Sequence, residues 1–113
     1  MPERSDLATH RVTAMPGPLV AVTIVGELDM SNAGHLQQWI TEAAARHPAA
    51  AIELDLTEVR FIDSTIIRAL VTTHRTLTTG GRAFRVRGAA GPVARTLETT
   101  GVLATLTGDA HGS

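Results

Sequence analysis

Cysteine, lysine and tyrosine are missing from this chain altogether. Without cysteine there is no disulfide, no zinc–thiolate site and no thiol nucleophile, although the redox compartment stays open. Ten arginines against eleven acidic residues give a net charge of -1, so no basic footprint for nucleic acid is expected. Trp39, Phe61 and Phe84 are the only Trp, Tyr or Phe residues, which leaves no platform for stacking single-stranded bases. No apolar run approaches the length of a membrane span. The opening MPERSDLATH lacks the basic start and apolar stretch of a secretory signal. A cytoplasmic protein with no direct contact to nucleic acid or membrane is expected.

What is present suits one small domain: 113 residues, 43% hydrophobic and 19% charged, hold one modest core and not two. The polar residues 1–10 are expected to form a loose tail, residues 11–107 the domain, and residues 108–113 a second tail. RVTAM, a PGP turn and LVAVTIVG read as two β-branched strands in a hairpin. GELDMSN then offers Asp29, Ser31 and Asn32 as helix caps. The following helix, with apolar positions at three and four, runs to about His47, where Pro48 stops it. AAIELDL alternates Ile52, Leu54 and Leu56 against Glu53 and Asp55, whose face is expected to be solvated.

After FIDST, residues Ile67, Leu70, Val71, His74 and Leu77 make a helical stripe that ends at Gly80 and Gly81. RAFRVR at 82–87 sets Ala83 and, after Phe84, Val86 against three arginines as a fourth strand. A short helix over 92–99 follows, with Val93 and Leu97 inward and Pro92 near its first position. VLATL is read as a last strand. Strands alternating with helices imply a mixed, mostly parallel α/β sheet with an N-terminal hairpin, right-handed crossovers and helices on one face.

Enzyme chemistry finds little support. Ser64 sits in I-D-S-T-I and not on a G-x-S-x-G turn. His74 falls on the apolar stripe and is read as a satisfied core or boundary residue. The histidines show no H-x-x-x-H pair, so no metal is expected, and the glycines lack a phosphate-cradle order, so no cofactor is expected either. Asp29, Asp55 and Asp63 can converge at one sheet end as a paired-carboxylate site, but their neighbours suggest caps and solvated strand faces. On local grounds D-S-T before a helix is an N-cap, worth about 1 kcal/mol.

The wider context adds to that reading. GELD at 26–29, LDLTEVRFIDS at 54–64 and V-x-R-x-L at 93–97 occur in one order. Together they resemble the STAS domain of bacterial anti-sigma factor antagonists over roughly Val12 to Leu106. D-L-x-x-V-x-F-I-D-S is the most specific element. The resemblance implies that Ser64 is phosphorylated by an anti-sigma factor that is also a serine kinase, and dephosphorylated by a PP2C-type phosphatase. It implies that the unphosphorylated antagonist binds the anti-sigma factor and so frees a sigma factor, with no catalytic residue of its own. Asp29, Asp63, Ser64, Thr65, Ile66 and Arg68 are the expected partner surface, on a monomer or weak dimer.

Two departures stand out. The family pattern continues D-S-S-G-x-G, whereas this chain reads D-S-T-I-I-R, with Ile66 and Arg68 at glycine positions. Arg68, four residues after Ser64, is placed to pair with a phosphate there. The family's long C-terminal helix is not evident in GDAHGS. These departures motivate a second reading, a constitutive interaction subunit of a multi-STAS assembly or of a lipid-transport ATPase. A third, a small nucleotide-binding or hydrolytic enzyme, rests only on Asp29, Asp63 and Ser64.

Overall fold

The computed structural model describes residues 8–99 and 101. β1 (Ala8–Met15) and β2 (Leu19–Glu27) pair antiparallel, with Ala8 opposite Gly26 and Met15 opposite Leu19. The turn between them needs Gly17, whose φ of 77 lies in the left-handed region. From β2 the chain enters α1 (Ala33–Arg46), β3 (Ala51–Phe61), α2 (Ser64–Thr79), β4 (Phe84–Arg87) and α3 (Gly91–Thr99). The strands lie in the order β1-β2-β3-β4, and β3 is parallel to both neighbours. This is the mixed, mostly parallel sheet with an N-terminal hairpin that the alternation predicts.

The side-chain periods set the layers. Val20, Val22 and Ile24 of β2 form one core with Ile52, Leu54 and Leu56 of β3 and with Phe84 and Val86 of β4. Leu36 and Ile40 of α1, Ile66 and Leu70 of α2, and Val93 and Leu97 of α3 close over it. Burying such side chains supplies about 1.5–3 kcal/mol each, the main force holding helices to sheet. His74 rests edge-on against Phe84 with ring centroids 6.3 Å apart, at the core boundary as expected. No helix among the described residues is long and apolar enough to cross a membrane.

Several boundaries differ from the sequence reading. β1 begins at Ala8, inside the stretch read as a tail, and Ala8 is buried. β3 continues to Phe61, because Leu56 and Val59 keep it anchored to the core past a register shift against β2. VLATL and the residues after it lie outside the described residues.

The helix-free face is less solvated than expected. Glu53 is only 6% exposed. Arg85 reaches over it, with Nη2 2.9 Å from Oε2, and Arg87 stands 3.2 Å from Asp55 Oδ2. Arginine stems cover apolar surface while their heads stay wet, which lets a carboxylate sit beneath them with its charge compensated. Burial by itself would raise the Asp55 carboxyl. The Thr57 hydroxyl and N–H, together with Arg87 and Arg11, outweigh burial and hold the carboxyl below its ordinary range. Gly88 is required beside it, since a Cβ there would stand 2.2 Å from Thr57 Oγ1, and its φ is +80.

Arg82, read as a strand residue, instead turns away before β4 starts. Its Nη1 donates to Ala44 O at 3.2 Å, and its Nη2 to His47 O and Ala50 O, both at 2.8 Å. One guanidinium thus satisfies open carbonyls at the end of α1 and the entry to β3, where a cation also complements the helix dipole.

Arg82→Ala is therefore expected to lower unfolding stability by about 1.5–3 kcal/mol in urea melts. Arg82→Lys should recover only part of it, because an ammonium cannot span the three carbonyls. Asp55 has a depressed folded-state pKa, so its stabilisation is complete above its unfolded value and is lost as pH falls through the folded one. Urea midpoints measured downward from about pH 4 should fall less steeply for Asp55→Asn than for wild type, from a lower starting stability at neutral pH.

Candidate functional site

Parallel pairing of β2 and β3 brings the loops that follow them to the same end of the sheet. Leu28 N donates to Phe61 O at 3.0 Å, extending the ladder into both loops. Leu28 and Ile62 are buried and act as apolar pegs beneath them. The polar residues between the pegs and the helices are thereby held side by side.

Asp63 is the N-cap of α2, and its Oδ1 accepts from Ile66 N at 3.0 Å. Its Oδ2 accepts from Met30 N at 3.1 Å, across the gap to the other loop. A single carboxylate therefore starts the helix and binds the two loops together. Asp29 Oδ1 accepts from Ser31 N at 2.8 Å and from the Ser31 hydroxyl, closing a local Asx turn.

Asn32 occupies the N-cap position of α1 but makes no side-chain cap. Its Oδ1 accepts from Asp29 N at 2.9 Å and its Nδ2 donates to Glu27 O at 3.0 Å. The side chain is 0% exposed, so it serves as an internal strut of the loop. Local capping rules point forward along the chain; this amide points back, to the last carbonyl of β2 at Glu27 and to the loop N–H of Asp29.

Ser64, first residue of α2, is exposed, and no hydrogen bond involves its hydroxyl among the described residues. Thr65 is half-buried and Arg68 is exposed. Ile66, expected on the partner surface, is 0% exposed and belongs to the core. Its position on α2 turns it toward the sheet, beside Ile67 and Leu70. Of the two departures from glycine, only Arg68 changes the outer surface. Asp55 does not join Asp29 and Asp63, being engaged with Thr57 and Arg87. Among the described residues no group of three His, Cys, Asp or Glu side chains is arranged to hold a metal.

Two side chains near the serine were not singled out from sequence. Met30 is 73% exposed, and Phe61, the last residue of β3, is 46% exposed. Phe61 sits where period-two alternation would have allowed either face, so only the observed register reveals it.

A family model described as the STAS domain matches residues 10–111. No curated protein matches the sequence. Among solved structures, an anti-sigma factor antagonist from Mycobacterium paratuberculosis aligns with a TM-score of 0.77 at 28% identity, covering 89% of this chain and 84% of that one. A putative anti-sigma factor antagonist from Thermotoga maritima gives 0.71 at 20% identity, covering 87% and 83%. The Bacillus cell fate determinant SpoIIAA, in its phosphorylated form, gives 0.60 at 19% identity and covers 88% of each chain. The latter two share the fold.

Asp63→Ala removes a cap and an inter-loop bond, and is expected to cost about 1–3 kcal/mol. Asn32→Ala removes two part-buried side-chain bonds to backbone groups and should cost a similar amount. Ser64→Ala should shift stability by less than about 0.5 kcal/mol. Chemical denaturation of the three variants checks this order.

Proposed function

The chain belongs to the STAS domain family, and on that basis we propose that it is an anti-sigma factor antagonist, a non-enzymatic binding module whose partner is an anti-sigma factor with serine kinase activity. In this reading the unphosphorylated protein sequesters that factor in the cytoplasm and releases a sigma factor. The kinase phosphorylates Ser64, and a PP2C-type phosphatase resets it. The observation that carries the reading is the placement of Ser64: exposed, with no hydrogen bond to its hydroxyl among the described residues, and one residue after a carboxylate already committed to structure. The Mycobacterium paratuberculosis relative, an anti-sigma factor antagonist at 28% identity, supports the partner class. Asp29, Asp63, Ser64, Thr65 and Arg68 form the polar part of the docking surface. Met30 and Phe61 supply its apolar part.

Physical chemistry separates the effect of the phosphate on binding from its effect on folding. A phosphoserine brings about -1.5 to -2 charges beside Asp63. At the first turn of α2, free N–H groups and the helix dipole favour that charge by about 0.3–1 kcal/mol, which offsets repulsion from the carboxylate. Docking is different. An interface must strip water from the phosphate or set it against a partner's groups, and mispaired buried charge costs about 2–5 kcal/mol. Affinity then falls by about one to four powers of ten. Thr65, half-buried, is a poorer acceptor than Ser64.

Arg68 favours a second reading. It is exposed four residues along the same helix, within pairing range of a phosphate on Ser64. Partial neutralisation would weaken the switch and leave a constitutive interaction subunit.

Incubation with the cognate kinase and ATP should add one phosphate by intact mass, and Ser64→Ala should abolish it. Titration against the unmodified anti-sigma factor should then show at least about tenfold weaker binding for the phosphorylated chain, with Ser64→Glu melting within about 1 kcal/mol of wild type. Equal affinity of phosphorylated and unmodified protein selects the constitutive reading. Arg68→Ala should enlarge the difference between the two forms.

A further inference from the structure

Strand β1 forms one edge of the sheet, paired only with β2 among the described residues. The register tells which backbone groups it leaves free. Ala51 N donates to Pro18 O at 2.7 Å, so the Pro18 carbonyl points toward β3. Alternation then directs Val20 and Val22 to β3, and Leu19, Ala21 and Thr23 to β1. Their partners Met15, Thr13 and Arg11 make the bonds to β2. Ala8, His10, Val12 and Ala14, which alternate with them, aim N–H and C=O outward from the edge.

Protein edges are usually blunted by proline, inward charge, bulges or shortness. β1 is eight residues long, has neither proline nor glycine, and pairs with β2 without a register shift. Its one charged residue, Arg11, projects to the helix-free face, where it meets Glu58 at 3.7 Å. Val12 and Met15 are each 40% exposed.

We propose that this edge pairs with a second copy of the same chain, β1 against β1, antiparallel about a two-fold axis at Val12. That register sets Val12 opposite Val12 and His10 opposite Ala14. Three of the four outward residues are used, and about six hydrogen bonds form. The two four-stranded sheets become one. An axis at Arg11 would put like charges directly opposite each other, and an axis at Thr13 would move Pro16 from opposite the end residue Ala8 to opposite His10, which shortens the ladder because proline donates no N–H.

The helix side is complementary under the same axis. Trp39 of α1 stacks on His10 with centroids 4.4 Å apart. A groove lined by Val12, Trp39, Glu42 and Arg46 runs along the edge. The two-fold axis makes the two α1 helices antiparallel across this groove. Glu42 and Arg46 of one copy then face the same two residues of the other in reversed order, an arrangement that favours opposite charges across the groove. Pairing occurs at the flank of the sheet, away from the strand ends that carry Ser64, so it stands independently of the antagonist reading.

Sedimentation velocity of the full chain over a concentration series should show a monomer passing to a dimer. Val12→Pro removes an outward N–H at an edge position, where a strand tolerates proline, and Val12→Lys sets two charges at the axis. Each should keep the chain monomeric with an unchanged far-UV circular dichroism spectrum. Because the chain has no cysteine of its own, Val12→Cys should give a covalent dimer on mild oxidation, the opposed Cα atoms being about 5.5 Å apart. Met15→Cys should not. A wild-type chain that stays monomeric at every concentration, a dimer that persists in folded Val12→Lys, or cross-linking at Met15 in place of Val12 would overturn the proposal.

Discussion

The Asp63 carboxylate is the constraint on which the candidate site depends. One oxygen accepts the Ile66 N–H and starts α2, and the other accepts the Met30 N–H and holds the neighbouring loop. Without the first bond the helix would open with unpaired donors. Without the second, the loop carrying Asp29 and the helix carrying Ser64 would lose a direct bond and lean on the Leu28 to Phe61 backbone bond and the apolar pegs below. Because Asp63 already holds both loops, capping does not require the hydroxyl of the next residue, which makes no hydrogen bond among the described residues. A hydroxyl exposed at that position can carry a modification while the fold beneath it stays bonded.

The same economy recurs at the opposite end of the sheet. Arg82 closes α1 and the entry to β3 through three carbonyls, and Arg85 and Arg87 compensate Glu53 and Asp55 on the helix-free face. In a chain without lysine, arginine takes every cationic role. Its planar fork suits these multi-carbonyl and carboxylate contacts better than a single ammonium would. Charges that look like a solvated surface in the sequence are, in the fold, partners of backbone carbonyls at Arg82 and of carboxylates at Arg85 and Arg87.

The departures from the family pattern at 66 and 68 separate once burial is known. Ile66 fills core volume next to Leu70, and so alters packing beneath the surface. Arg68 stays outside and adds a cation to the surface near Ser64. Two substitutions two residues apart act on different layers because a helix turns about 100° per residue.

The alternation of Ile52, Leu54 and Leu56, the three-and-four spacing in α1 and α2, and the glycine and proline breaks determined the elements, their order and the parallel sheet, since each is a local regularity that burial on one face imposes. The position of Ser64 at a helix start was legible for the same reason. What only the tertiary structure decided were the contacts that span the chain: Asp63 to Met30 over 33 residues, and Arg82 to Ala44 over 38. It also decided the inward turn of Asn32 and the exposure of Phe61. No local pattern specifies a partner that distant, because a hydrogen bond between loops depends on how the strands beneath them pair and in which register.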